Sequence, residues 1–292
     1  MRGWALVQQG LEPAPSVPAL TRAFAATRVR TRLDAPTVAR RAHGILIEGL
    51  DEDDARALQP ALADAGIATV VVPGSALPRL PHPRHLHRAV PAPEGLTWFS
   101  YFGRTKSCPW AALTVVALGH VRKRVQHLVR TTIPGSDDQV AVTEPEDPTT
   151  AADIVLDLVA PAEQLHFRII ADDFRYDFLG TSMLPRARAN FPELVRVVMR
   201  HCPGMPNRGA ARFRLGHPDP FTYATWADFE QETRWMLWRM GQAGAAPPAG
   251  DPAPAPSSGD PAPQARPAAP PPPARPPPPD PGAPPGDPGS LP

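Results

Sequence analysis

The chain has 292 residues, with 30 Lys plus Arg against 29 Asp plus Glu and a formal net charge of +1. That balance argues against a general nucleic-acid binder, which needs strong phosphate neutralisation. Two cysteines rule out a disulfide-rich scaffold and a zinc ribbon. Of the 43 prolines, 21 fall in residues 247–292, which leaves about 240 residues to build a core and a Pro-rich tail that cannot. No apolar run approaches the roughly 18 residues of a membrane span. The first ten residues lack the apolar stretch of a secretory signal. Only Lys106 and Lys123 are lysines. This Arg bias fits a GC-rich genome, and the expectation is a bacterial, cytoplasmic protein.

Trp4 to Val7 reads as a strand. Ser16 then precedes Val17, Leu20 and Phe24 at helical spacing, with Pro18 in the first turn. Gly44 to Gly49 is a strand bounded by glycines. Asp51 caps a second helix whose first turn holds Glu52, Asp53 and Asp54, acids suited to the positive end of the helix dipole. Ala55, Leu58, Leu62 and Ala65 form its stripe, Gly66 ends it, and Pro60 is expected to kink or break it. Ile67 to Val72 follows as a β-branched strand stopped by Pro73. In Pro81 to Arg88, His82, His85 and His87 are candidate zinc or copper ligands by residue type and spacing. With two prolines and no nearby carboxylate or cysteine, a basic, exposed connector is the simpler reading.

Leu96 to Phe102 is an aromatic strand and Gly103 to Pro109 a loop. Strands are expected at Ala111 to Leu118, Val121 to Thr131, Gln139 to Thr143 and Asp153 to Val159, with an acidic loop over 144–152. Leu165, Phe167 and Ile169 alternate with His166, Arg168 and Ile170. Phe174, Tyr176 and Phe178 alternate with Arg175 and Asp177. This period of two predicts two strands, each with one buried face. Asn190 and Glu193 form a capping pattern before a helix with Phe191, Leu194, Val195 and Val198 on its core face. Phe167, Ile169, Phe174, Tyr176, Phe178, Leu194 and Val198 are expected in one core. Thr225 and Asp228 cap a last helix over 226–240, whose Trp235 and Trp238 widen its apolar surface. It packs between the modules, or it offers Trp235 and Trp238 to a partner, since Trp is enriched at interfaces. The tail from 243, nearly without large apolar residues, is expected to stay disordered with polyproline II character.

The expected class is α+β, with four parts: an α/β module over 1–92, an antiparallel β module with a closing helix over 94–203, a connector and aromatic-rich helix over 204–242, and the tail over 243–292. The unit of acidic cap, helix, Gly-Ile and strand over 44–73 resembles a ferredoxin-like regulatory βαβ unit. Seven short strands and a helix over 94–203, with Arg104 to Leu113 as a basic loop leading into an apolar strand, resemble bacterial pleckstrin-homology-like domains. That resemblance implies a β-barrel or sheet closed by a helix, and phosphate or lipid-headgroup contact at Arg104 and Lys106. Arg122 and Arg124 can add to them if the sheet brings the regions together. Otherwise these cations only keep a loop soluble.

No nucleotide loop, hydrolase elbow, zinc-hydrolase helix or deaminase pattern appears, so neither a cofactor nor a catalytic residue is expected. Cys108 and Cys202 each precede a proline and lack an activating partner, so both are expected to be ordinary thiols. The leading expectation is a non-enzymatic regulatory or adaptor protein working through protein–protein contacts. The alternative is an anionic-headgroup binder using residues 103–109, and a further one is an enzyme whose site is assembled from distant residues.

Overall fold

The computed structural model describes residues 3–99, 104–122, 129–130, 141–142, 152–217 and 221–244, all within one unit, Met1–Pro247. The Pro-rich tail lies outside the described residues. Helices and mixed sheets make the fold α+β.

The N-terminal layer starts with β1 (Trp4–Gln8), followed by helices α1 (Val17–Thr27) and α2 (Ala35–Arg40), strand β2 (Ile45–Leu50), helix α3 (Glu52–Asp64) and strand β3 (Thr69–Pro73). Ser16 caps α1, its side chain accepting from the Ala19 N–H at 3.3 Å. Asp51 stands at the N-terminus of α3 without a side-chain capping bond. Helix α3 runs past Pro60 to Asp64 rather than breaking there. Strand β1 is central and antiparallel to both β2 and β3. Its two faces diverge by the period of a strand. Leu6 packs with Leu20, Phe24, Leu58 and Leu62 under the helices, whereas Ala5 and Val7 face the rest of the molecule.

Next come β4 (Arg84–His85), β5 (Ala89–Ala92), β6 (Gly95–Phe99), β7 (Thr105–Pro109) and β8 (Val115–Arg122). Two short strands, β9 (Val129–Arg130) and β10 (Ala141–Val142), pair with each other. Then follow β11 (Ala152–Ala160), β12 (Leu165–Ile170), α4 (Ala187–His201), β13 (Met205–Pro206), α5 (Arg208–Arg214), β14 (Thr222–Tyr223) and α6 (Trp226–Gly244). Strands β5, β6 and β7 form one small antiparallel sheet. The larger sheet runs β13–β8–β11–β12–β4, with β14 also on the β8 edge. Its core of β8, β11 and β12 is antiparallel, but β4, β13 and β14 add in parallel. Among the described residues, the larger sheet is therefore open and mixed, and no strands close into an antiparallel barrel.

The larger sheet is buried on both faces. Val116, Leu118, Leu156, Leu158, Phe167 and Ile169 meet Trp98 and Trp110 from the small-sheet side and Leu194, Val195 and Val198 from α4. Val115, Ala117, Val121, Val155 and Val159 meet Ala5, Val7, Ile45 and Val72 of the N-terminal layer and Phe229 and Met236 of α6. One cluster thus draws on residues from both sides of position 93.

Several expectations are corrected. Residues 105–109 form β7, paired with β6 from Phe99↔Thr105 to Gly95↔Pro109, rather than a loop. The strand expected over 121–131 splits: β8 continues to Arg122, and 123–128 lie outside the described residues. Phe174 to Phe178 is not a strand, because the edge of β12 that a hairpin partner would occupy is taken by β4. There the chain turns instead, with the Tyr176 hydroxyl donating to the Ala171 carbonyl at 2.9 Å. Phe174 and Tyr176 still join the expected core, while Phe178 is only half-buried against it. Helix α4 begins at Ala187, ahead of Asn190, whose side chain folds back onto the backbone of Leu184. The helices α2 and α5 and the strands β13 and β14 have no counterpart in the sequence reading.

Candidate functional site

Helix α4 buries Phe191, Leu194, Val195 and Val198, and the same periodicity turns Arg196 and Arg200 outward. Helix α5 is set against β8 by Asn207. Its side-chain oxygen accepts from the Leu118 N–H at 2.9 Å and the Ala210 N–H at 2.8 Å. Its amide donates to the Leu118 carbonyl at 3.0 Å. Gly209 permits the approach, since a Cβ there would lie 1.8 Å from the Leu118 carbonyl oxygen. Placing the two helices this way opens a cleft of about 660 Å³ between them. Pro192, Met199 and Phe213 form its apolar wall, and Arg196, Arg200, Arg214 and His217 line it. Among the described residues, Arg196 pairs with Glu193 at 2.6 Å, and neither Arg200 nor Arg214 has an ion-pair partner. Such a surface can hold an anionic group by charge-assisted hydrogen bonds.

Two polar networks lie inside the protein. On β11 and β12, Asp157 and Arg168 are cross-strand neighbours. Asp157 accepts from Arg168 Nε at 3.0 Å, from Arg168 Nη2 at 2.7 Å and from His166 Nε2 at 2.6 Å. Arg168 also reaches Glu230 at 2.9 Å and lies over the Trp226 ring at 4.3 Å. His166 Nδ1 faces the Pro81 carbonyl at 3.0 Å. The Asp157, His166 and Arg168 side chains are 1%, 0% and 6% exposed, so the network braces the sheet and is closed to a substrate.

The second network centres on Glu232. It accepts from the Arg208 N–H at 2.9 Å, from its guanidinium at 2.8 Å and from the Tyr223 hydroxyl at 2.9 Å. Burial first, and Glu232 next, push the Tyr223 phenol well above its ordinary value. Arg208 also donates to His43 Nδ1 at 2.7 Å. A guanidinium can only donate, so that ring nitrogen accepts and His43 is neutral. Burial, and then Arg208, hold the His43 imidazole below its usual value.

The residues singled out from the sequence lie on several elements. Lys106 sits on β7, opposite Trp98, and Arg104 is exposed just before that strand. Arg122 ends β8. Arg124 lies outside the described residues.

His82, His85 and His87 are exposed. His82 faces the Pro83 carbonyl at 3.1 Å and His87 the Asp173 carbonyl at 3.4 Å. Burial, and then Arg168, lower the His85 pKa. Among the described residues, no group of three His, Cys, Asp or Glu can hold a metal ion.

Trp235 and Trp238 are 9% and 7% exposed and belong to the core. They are not an open surface, because α6 is covered by the N-terminal layer. Trp235 Nε1 donates to the Gln8 carbonyl at 2.8 Å, and Arg234 grips both oxygens of Glu48 at 2.8 and 2.9 Å. Gln231 donates to the Ile45 carbonyl.

Cys108 and Cys202 are buried free thiols, and burial raises both pKa values.

The arginines of the cleft were not found from the sequence because they lie on two helices, and α5 is only seven residues long. The i, i+4 spacing of Arg196 and Arg200 opposite the apolar stripe of α4 was the available signal. Among the described residues, no helix is long and apolar enough to cross a membrane. The chain matches no protein-family model, no curated protein and no solved structure.

Proposed function

We propose that the chain is a non-enzymatic adaptor that binds an anionic partner in the cleft between α4 and α5. The observation that supports this is the convergence of Arg196, Arg200, Arg214 and His217 on one open cavity of about 660 Å³ with a Met199 and Phe213 wall. A cavity of that size exceeds the needs of a single small anion, and its mixed lining suits a peptide. Asp157, Glu232, His43 and His166 are engaged in the two internal networks that hold the layers together. Polar groups used in that way act on stability, whereas the exposed arginines stay available for association.

The test is fluorescence anisotropy with a labelled acidic peptide of Glu and Ser at low ionic strength. Wild type should bind, and raising salt should weaken the complex, because exposed charges are screened. The double variant R200E/R214E should bind at least about tenfold more weakly, some 1.4 kcal/mol, while its circular dichroism and melting stay unchanged. Undiminished binding by that folded variant, or none by wild type, refutes the reading.

A further inference from the structure

A second cavity adjoins the cleft on the same helix. Its volume is about 590 Å³, and its lining is mixed: Phe178, Leu179, Leu184 and Val197 are apolar, and Ser182, Asn190, Glu193 and Arg196 are polar. Arg196 lines both cavities. Leu184 is 51% exposed at its mouth and the preceding Met183 is 50% exposed, so this apolar surface is open to solvent. The Arg196–Glu193 pair at the junction is itself exposed, at 57% and 44%. An exposed pair of that kind is worth about 0–1 kcal/mol, so a carboxylate from outside can replace Glu193 at little cost.

Building on the proposed anion cleft, we infer that the two cavities form one groove along α4 that takes an acidic amphipathic segment of a partner protein. Carboxylates of the segment sit against Arg200 and Arg214, and one large apolar side chain enters the pocket of Phe178, Leu179, Leu184 and Val197 beyond Arg196. The groove runs from Ala189 to Arg200. That stretch of helix is roughly 16 Å long, which matches about five residues of an extended chain. Charge and polarity select this occupant over a nucleic acid. A phosphate chain would leave Phe178, Leu179, Leu184 and Val197 of the second pocket without an apolar partner. The concave shape of both cavities also fits a side chain better than a flat lipid surface.

Anisotropy with three labelled peptides separates the possibilities. The first carries Asp and Glu at one end and Phe and Leu at the other, made in both chain directions. The second replaces its Phe and Leu by Ser. The third replaces its acids by Lys. The first peptide should bind at least about tenfold more tightly than the second, and the third should not bind. Leu184→Glu places a charge at an exposed position, so the fold tolerates it. It should erase the advantage of the first peptide and leave the second unchanged, whereas R200E/R214E should weaken both. Equal binding of the first and second peptides defeats this inference while the anion cleft stands. Failure of both acidic peptides defeats the cleft reading as well. Binding instead to phosphatidylserine–phosphatidylcholine vesicles or to a single-stranded oligonucleotide, without binding to the first peptide, assigns the groove to a different partner class and overturns the proposal.

Discussion

His43 sits 7% exposed between two layers, with its neutral ring bonded to Arg208. Glu232 and Asp228 act on it from α6, Arg208 from α5, and the Phe221 and Tyr223 rings pack against it. The acids raise its pKa, but burial and Arg208 prevail and the net direction is down. The unfolded chain therefore takes up this proton more readily than the folded one. Stability from this residue is fully present above the ordinary pKa of 6.5 and is lost as pH falls below it toward the depressed folded value. Urea midpoints between about pH 7.5 and pH 5 should drop for wild type, with a slope of at most about 1.4 kcal/mol per pH unit for one proton. His43→Asn should lower stability at neutral pH and flatten that drop. An unchanged slope in the variant would remove His43 as its source. His166 and Arg168 carry the opposite lesson about reading side chains one by one. Their alternation with Phe167 and Ile169 predicts an exposed polar face, yet both are buried. Asp157 on the neighbouring strand is a partner to both, as an ion pair with Arg168 and at 2.6 Å from His166 Nε2, and that partner is set by strand register, which the local pattern does not contain.

Helix α5 shows how a short element is held by its neighbours. Seven residues are too few for a stable isolated helix. Its place depends on the Asn207 bonds to Leu118 and on the close approach at Gly209. Gly209→Ala brings a Cβ against backbone, which cannot move aside as a side-chain tip can. The variant should lose roughly 1–3 kcal/mol of stability, as overpacked positions do, and should bind acidic peptide more weakly because Arg214 moves with the helix. Full stability with wild-type peptide affinity would show that α5 is not fixed by this contact. The long elements behave differently. α1, α3, α4 and α6 have enough turns for their apolar stripes to be legible, and the structure places them within a few residues of the expected bounds. The strand expected at Phe174 to Phe178 fails because alternation reports burial, not pairing. Phe174 and Tyr176 are buried with no ladder partner of their own.

At the scale of the whole molecule, the larger sheet is the floor shared by two cores, and α6 joins it to the N-terminal layer through Trp235, Arg234 and Gln231. Gly44, at φ +95°, marks this seam, since a Cβ there would lie 2.2 Å from the Trp235 ring. A protein built this way should unfold its N-terminal layer and its sheet together. The composition of residues 245–292, with one Leu and no aromatic residue, offers no apolar surface to add to either core. Thermal melts of the full chain and of residues 1–244 should therefore superimpose. A clear drop in melting temperature on truncation would show that the tail packs on the rest.

Local pattern in the chain is enough for the class of fold, the long helices with their caps at Ser16 and Thr225, and the membership of Phe167, Ile169, Leu194 and Val198 in one core. Periodicity and capping are local, and a window of a dozen residues contains them. The rest comes from packing between distant segments: that Trp235 and Trp238 are covered, that Asp157 meets His166 and Arg168, and that Arg196, Arg200 and Arg214 share a cleft. Each of these depends on which segments become neighbours. Strand order, register and helix docking set that over long stretches of chain, and no local pattern encodes it.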